Sequence, residues 1–427
     1  MKILLVSLGC NKNLVDSEMI LGALVKNGHE ITLDEKEADY IIVNTCAFIN
    51  DAKEESINKI IELSEARTKK CKGLIVTGCL AQRYEKEIKE ELPEVDCIAG
   101  INDYETILKF INKRKKINPE IEFHERVRST APHTAYVKIA DGCNNRCSYC
   151  AIPAIRGNHV SRTMEDIVKE VNAIVAEGVQ EIVLIAQDTS FYGRDIYGKP
   201  MLSELLKKLE KVDGLHWIRI LYTYPEGITK DLIKVIKKSK KVCRYFDIPI
   251  QHINDEVLKN MNRHTNKKAI EKLLKTLRKK MPDVSLRTSL IVGFPGETAE
   301  QFEELKEFVK KAKFDKLGVF EYSKEEGTAA AKMKGQIPTK VKKERKNQIM
   351  EVQQQVSLKN NKKVIGKKLE VLVEGMLEDG TYFGRTYKDA PEIDGYTFIE
   401  TKKDLPLGEY TKVKIKKAQE YDLIGKL

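Results

Sequence analysis

The chain has 427 residues, 41% of them hydrophobic and 33% charged, with a mean hydropathy of −0.40 and a net charge of +11. This length holds two or three domains with sizeable cores, and the composition is that of a soluble globular protein. No apolar run reaches the length of a membrane span, and nine cysteines, an odd number, favour metal ligation over a disulfide framework.

The start, "MKILLVSLGC", resembles a short lipoprotein signal, but its apolar run of residues 3–8 is too short for a signal core. It reads as a buried first strand, and the protein is placed in the cytoplasm. Residues 1–110 alternate apolar strands with amphipathic helices, and "KILLVSL", "DYIIVNT" and "GLIVTG" look buried on both faces, as in a parallel sheet. The expectation is a doubly wound α/β domain over residues 1–112. Each strand ends in a cysteine: Cys10, Cys46 and Cys79. Open α/β sheets bind ligands at the carboxyl ends of their strands, so three thiolates are expected at one edge. Cys71 precedes its strand, Cys97 lies in "EVDCIAG" and Cys243 in "KVCRYFDIPI"; these three read as packing residues.

A charged segment, "NKRKKINPEIEFHERVRSTAPH", links to a second domain expected over 130–365. There, six strand-like runs alternate with helices: "AYVKIA", "EIVLIAQ", "HWIRILY", "RYFDIPI", "VSLRTSLIV" and "KLGVFEY". The alternation predicts a partial parallel (β/α)6 barrel. The loop after its first strand, "DGCNNRCSYC", carries Cys143, Cys147 and Cys150. Four thiolates would close a zinc site or a fully ligated iron–sulfur cluster, and two would suggest a redox pair. Three leave a metal centre with one open position, where chemistry occurs. On spacing alone, a zinc knuckle and a buried apolar trio stay open as alternatives. Barrel active sites are built from carboxyl-face loops, which is where this loop falls.

Other residues share that face. Gln187 and Asp188 end the second strand, Gln251 and His252 end the fourth, and Gly293 and Glu297 lie in "IVGFPGET". "GFPGET" lacks the Lys-Ser/Thr of a phosphate loop and reads as a tight turn before a helix. His252 fits a hydrogen-bonded structural histidine as well as a substrate contact.

Residues 332–368 carry a net charge of +10, with Ile349, Val352 and Val356 marking one helical face. After Gly366 the pattern changes to short strands with turns, and "EDG" and "IDG" are hairpin signals. A small five-stranded β-barrel of the oligonucleotide-binding shape is expected over 366–427. Its net charge is −1, with eight acids against two bases in 370–400. Glu374, Glu378, Asp379, Asp389, Glu392 and Asp394 are expected to form a negative patch, which suits a basic protein partner better than RNA.

Cys-x3-Cys-x2-Cys with Tyr149 before the last cysteine resembles the radical S-adenosylmethionine enzymes. The resemblance implies that Cys143, Cys147 and Cys150, with Tyr149 before the last, hold a 4Fe–4S cluster whose open iron binds S-adenosylmethionine; Gln187 and Gly293, on the barrel's loop face, are expected to face that cofactor. The whole chain is similar to the methylthiotransferase family, whose members join a domain with three dispersed cysteines, a radical barrel and a TRAM domain. In that family the first three cysteines, here Cys10, Cys46 and Cys79, hold a second 4Fe–4S cluster that handles the inserted sulfur. "SLGCNKNLVDSE", "LIAQDTSFYG", "LYTYPEG", "DIPIQHINDEVLKNMNR" and "VFEYSKEEGTAAAKM" resemble the ribosomal (RimO-type) branch. Asn11-Lys12-Asn13 stands where the tRNA (MiaB-type) branch has Gln-Met-Asn; the ribosomal branch more often has Pro at Asn11. The expectation is therefore methylthiolation of the β-carbon of an aspartate in small-subunit ribosomal protein S-twelve, as a free protein or on the subunit. It carries with it a flavodoxin- or ferredoxin-like electron donor, no membrane and a monomer. A tRNA adenosine next to the anticodon is the runner-up substrate, supported by the basic segment; a non-catalytic iron–sulfur or RNA-binding protein comes third.

Overall fold

The computed structural model describes residues 1–113 and 116–427. Arg114 and Lys115, in the charged linking segment, lie outside the described residues. The chain divides into two compact units: Met1–Thr130 with Tyr136–Ala173 and Ser323–Ala331, and Ala131–Ala135 with Ile174–Tyr322 and Lys332–Leu427.

The first unit is built on a parallel sheet of β1 (Lys2–Ser7), β2 (Glu30–Ile31), β3 (Tyr40–Thr45), β4 (Leu74–Gly78) and β5 (Cys97–Ile98), in the order β2-β1-β3-β4-β5. Side chains alternate across it, as the pleat demands. Ile41 and Val43 pack with Ile60, Leu63 and Ile88 on one face; Tyr40 and Ile42 pack with Leu24, Leu108 and Ile111 on the other. Cys71 packs against the first of these clusters and Cys97 against the second. The chain passes from β1 outward to β2, then returns to β3 on the other side of β1. The order therefore reverses between β1 and β3, and that reversal opens a crevice at their carboxyl ends.

The linking segment is not a free tether. The Arg126 side chain is buried, donating to Glu18 Oε2 at 2.8 Å and to Tyr136 O at 2.6 Å, and it pairs with Glu170 at 3.0 Å. The Ser129 backbone N–H also donates to Glu18, at 2.7 Å. Charge counting sees a solvated run here, whereas the arginine satisfies two buried carboxylates.

A six-strand series begins with β6 (Thr134–Lys138), of which Thr134 and Ala135 belong to the second unit and Tyr136–Lys138 to the first. The two-residue strands β7 (Ala140–Asp141) and β8 (Val160–Ser161) intervene in the chain and pair with each other. The series continues with β9 (Glu181–Ile185), β10 (Trp217–Ile220), β11 (Tyr245–Asp247), β12 (Ser285–Val292) and β13 (Lys316–Glu321). It forms two three-stranded sheets, β6-β9-β10 and β11-β12-β13, joined along the backbone by a parallel bridge from Ile218 to Val242. This is the partial barrel expected from the sequence.

A helix over Thr339–Lys362 follows, its lysines mostly exposed. Ile349 and Val356 are buried, Val352 only partly. Between them Gln353 is fully buried, its Nε2 donating to Phe314 O at 2.9 Å and Ser357 Oγ at 2.8 Å.

The last strands are β14 (Lys368–Met376), β15 (Tyr382–Arg385), β16 (Thr397–Glu400), β17 (Tyr410–Ala418) and β18 (Leu423–Lys426). They close a barrel in the order β14-β15-β16-β18-β17 around Val371, Val373, Ile399, Val413 and Ile415. "EDG" makes the tight β14–β15 hairpin. "IDG" does not: it lies in the longer connection of residues 386–396.

That connection overturns the expected negative patch. Arg385 donates to Glu181 Oε2 at 2.6 Å, at the start of β9, and to Glu374 Oε1 at 2.6 Å. Arg219 of β10 donates to the Tyr387 carbonyl at 2.7 Å, and Ser285, which opens β12, donates to the Lys388 carbonyl at 3.1 Å. Lys316, which opens β13, pairs with Asp389 at 2.6 Å, and Tyr245, which opens β11, donates to Asp394 at 2.7 Å. The connection thus plugs the amino-terminal end of the strand series. Glu374, Asp389 and Asp394 are spent on buried cations and a buried hydroxyl; only Glu378, Asp379 and Glu392 are exposed. The acidity of Glu374, Asp389 and Asp394 answers charges inside the second unit.

Candidate active site

Both cysteine triads fall in the first unit. Cys10 follows β1, Cys46 follows β3 and Cys79 follows β4, three adjacent strands, with the first two flanking the point where the strand order reverses. Cys10 also stands at the N-cap of the helix Asn11–Lys26.

Two glycines let these loops converge. Gly9 has φ of +89°, and a Cβ there would lie 2.6 Å from Cys46 Cβ. Gly78 has φ of +91°, and a Cβ there would lie 2.2 Å from Asn44 Oδ1. Both are backbone shapes that side chains resist, at contacts too close for a methyl group.

Asn13 then fastens the loops together. Its Nδ2 donates to Leu8 O at 2.7 Å and Thr45 O at 3.1 Å, the strand ends before Cys10 and Cys46, while its Oδ1 lies 3.9 Å from Cys79 Sγ. The sequence singled out Asn13 only as part of the Asn11-Lys12-Asn13 stretch after Cys10, with no sign of this fastening role. Burial pushes the Cys46 thiol up and the Cys79 thiol up to about 12, so these thiols keep their protons unless a metal displaces them.

The second triad sits on a loop with neither helix nor strand from Gly142 to Cys150. Cys143 and Cys147 are buried; Cys150 and Tyr149 are partly exposed. The Cys143 N–H donates to Gly157 O at 3.2 Å, the Cys150 N–H to Cys147 O at 3.0 Å, and Asn145 Nδ2 to Cys143 Sγ at 3.4 Å. Asn144 Oδ1 accepts from the His159 N–H at 3.0 Å.

One guanidinium links this loop to the first triad. Arg156, in the helix Ile152–Arg156, donates to Asp141 at 2.9 Å and to Asp16 at 2.8 Å. It also donates to Asn13 Oδ1 at 3.1 Å and to Cys79 Sγ at 3.5 Å. Lys138 pairs with the same two carboxylates, Asp16 closely and Asp141 at 3.1 Å.

All nine cysteines are free thiols. Among the described residues no three His, Cys, Asp or Glu side chains meet the geometry of a single metal ion. The ligands of an iron–sulfur cluster stand further apart, because iron and sulfide lie between them. The donor set fits such a cluster: two groups of three thiols, each on closely held loops, one at a helix start and beside a guanidinium.

Gln187 and Gly293 lie in the second unit. Gln187 follows β9 and is partly buried. Asp188 caps the next turn, accepting from the Ser190 N–H at 3.0 Å and the Ser190 hydroxyl at 2.6 Å. Glu297 accepts from the Gly293 N–H at 2.7 Å and the Phe294 N–H at 3.2 Å and pairs with Arg345 at 2.8 Å, so it shapes the Gly293 turn. Gln251 adopts φ of +67° and bridges Leu290. His252 is fully buried, and burial pushes its pKa down to about 3. Its Nδ1 accepts from the Asn254 N–H at 3.0 Å, and its Nε2 has no partner among the described residues. Cys243 is buried in the same unit.

Residues 2–100 match an uncharacterized protein family, UPF0004, residues 137–309 match the radical SAM superfamily, and residues 365–427 match the TRAM domain. Among solved structures, the radical S-adenosylmethionine methyltransferase TsrM from Kitasatospora setae aligns with a TM-score of 0.53 at 14% identity, over 74% of this chain and 72% of that one. The cobalamin-dependent S-adenosylmethionine radical enzyme OxsB aligns at 0.52 and 12%, over 82% and 56%. At such identities the likeness is one of fold. The chain is 52% identical to the ribosomal protein uS12 methylthiotransferase RimO of Lachnoclostridium phytofermentans, over 100% of this chain and 99% of that one. It is likewise 52% identical to that of Clostridium botulinum, over 99% and 97%. With half of all residues identical along the full length, and with both cysteine triads in one compact unit, the chain belongs to the ribosomal protein uS12 methylthiotransferase family.

Proposed function

We propose that this chain attaches a methylthio group to the β-carbon of an aspartate in ribosomal protein uS12, with S-adenosylmethionine and two 4Fe–4S clusters. Cys143, Cys147 and Cys150 hold one cluster, with Tyr149 beside it, and Cys10, Cys46 and Cys79 hold the other. Once bound, these groups supply one-electron chemistry, C–H activation and the methyl group. The chain's own residues bind and orient them: Gly9, Gly78 and Asn13 bring three strand ends together, and the loop before the helix Ile152–Arg156 presents the other three thiols. The observation that carries the reading is the first triad, gathered at the carboxyl ends of three adjacent strands with Cys10 and Cys46 flanking the reversal point, where such sheets take their ligands.

The modules we assign are residues 1–112 for the second cluster, 130–365 for the radical chemistry and 366–427 for the TRAM domain. The enzyme acts as a monomer in the cytoplasm, with an electron donor of the flavodoxin or ferredoxin class; no helix among the described residues is long and apolar enough to cross a membrane. The test is mass spectrometry of uS12 and of tRNA from cells with and without the gene. A mass increase on the uS12 aspartate that depends on the gene supports the reading. A gene-dependent methylthio group on tRNA, with uS12 unchanged, overturns it in favour of the tRNA branch, for which the exposed lysines of the helix Thr339–Lys362 would be the groove contact.

A further inference from the structure

We infer that Arg156 sets the reduction potential of the cluster held by Cys10, Cys46 and Cys79, and does so as part of a charge-balanced group that also anchors the loop of the other triad. The inference rests on the ligand set proposed above. Its basis is a single buried guanidinium with divided attention: the Arg156 side chain is 2% exposed. One nitrogen takes the Asp141 carboxylate, two residues before Cys143; the other takes Asp16, Asn13 and the Cys79 sulfur. A purely structural arginine would be complete with Asp141 and Asp16. The contact to Cys79 Sγ adds nothing to that pairing, yet it aims an N–H and a fixed positive charge at a cluster ligand.

The consequence follows from electrostatics. A 4Fe–4S cluster that takes up one electron gains one negative charge and no proton. A nearby cation and a hydrogen bond to a ligating sulfur both stabilise that reduced form, and both are recognised determinants of cluster potential. Arginine suits the task because it does not lose its proton at any physiological pH. Its field at the cluster is moderated by its partners. Arg156 and Lys138 carry two positive charges, and Asp16 and Asp141 carry two negative ones, so the group is neutral, with all but Asp141 buried. Removing either sign therefore shifts the cluster in opposite directions. Arg156→Gln deletes the donor and leaves an extra carboxylate charge, which opposes reduction. Asp16→Asn leaves the guanidinium under-compensated, which favours it.

The experiment uses the full chain with Cys143, Cys147 and Cys150 changed to Ala, anaerobically reconstituted, so that one cluster is observed alone. Iron content is measured first and should be about four per chain. The midpoint potential then comes from a redox titration followed by electron paramagnetic resonance. Arg156→Gln should make reduction at least roughly tenfold less favourable, a fall of about 59 mV for a one-electron couple. Asp16→Asn should raise the midpoint, and Arg156→Lys, which keeps the charge, should lie between Arg156→Gln and the parent. A parent variant without iron overturns the ligand set, and with it this inference. A loaded Arg156→Gln variant with an unshifted midpoint overturns the inference alone and leaves Arg156 as a structural residue. If Arg156→Gln does not take up iron, the sign for Asp16→Asn decides: an upward shift supports the role, and no shift or a downward one refutes it.

Discussion

Glu181 should be among the most costly single carboxylates to neutralise in the second unit. It is fully buried at the start of β9 and accepts from Arg219 Nε at 2.9 Å, Arg385 Nη2 at 2.6 Å and Thr134 Oγ1 at 3.3 Å. Burial pushes its carboxyl up, but Arg385 and Arg219 outweigh burial and hold it at about 2, against an ordinary 4.5. That difference is worth about 3 kcal/mol of folding stability. Because the folded pKa is the lower one, the stability is fully present above the ordinary carboxylate range and is lost as pH falls from there through about 2. Glu181→Gln keeps the shape and removes the charge. Arg385 still has the Glu374 carboxylate, but Arg219 loses its carboxylate partner and keeps neutral acceptors such as the Thr386 and Tyr387 carbonyls. Breaking one side of a buried pair typically costs about 3–5 kcal/mol, which agrees with the figure from the pKa. The assay is built in: Trp217, the single tryptophan, lies on β10 two residues from Arg219 and packs edge-on against Tyr410 of the small barrel at 4.8 Å. Urea unfolding followed by its fluorescence at pH 7 should show the loss, and the gap between variant and parent should narrow as pH falls below about 4.5. Glu378→Gln, at an exposed hairpin, should change stability by less than about 0.5 kcal/mol. A loss below about 1 kcal/mol for Glu181→Gln at pH 7 would refute the plug as a stabilising device.

Anaerobically reconstituted chain should hold about eight irons, and changing either triad to Ala should remove about half of them, while Cys71→Ser, Cys97→Ser and Cys243→Ser keep all eight; iron assays decide. Gly78→Ala should lose the cluster of Cys10, Cys46 and Cys79 and spare the other, because its methyl would meet Asn44 and the Thr45 backbone; iron content near four per chain is the expected reading. His252, held near 3 by burial, stays neutral in the fold and takes up a proton on unfolding. Stability should therefore erode as pH falls from about 6.5 toward 3, and His252→Gln should flatten that part of the urea-midpoint profile.

The triads were legible because each cysteine is tied to a local pattern. Strand ends can be read from apolar runs, and parallel sheets deliver strand ends to one edge, so Cys10, Cys46 and Cys79 could be gathered without knowing the strand order. The Cys143–Cys150 loop is short enough for its spacing alone to carry meaning. Arg156 and Asn13 carry no such pattern. Their partners lie up to 143 residues away, and an Ile-Arg-Gly or Asn-Lys-Asn stretch looks like any polar helix end. What makes them part of the site is the packing of the helix Ile152–Arg156 against the sheet's cysteine edge, with Ile155 and Ala151 in the same apolar cluster as Val43 and Cys79.

The acidic stretch of 370–400 marks where reading charge from sequence fails, and for a physical reason. A net count treats each carboxylate as a surface charge, which holds only where an acid has no buried cation to meet. In a parallel strand series the amino-terminal ends expose unpaired N–H groups and whatever cations the strands carry, here Arg219, Arg287 and Lys316. Something must cover them. The connection after Arg385 does so with Asp389 on Lys316, Asp394 near Arg287 and backbone carbonyls on Arg219. The cations belong to β10, β12 and β13 and the acids to a segment at least 70 residues later, so neither half looks paired when read alone. An excess of acid in one segment and isolated basic residues inside apolar strands of another are together the signal of a buried ionic seam. Read as a pair, they would have pointed to the plug and not to a docking surface.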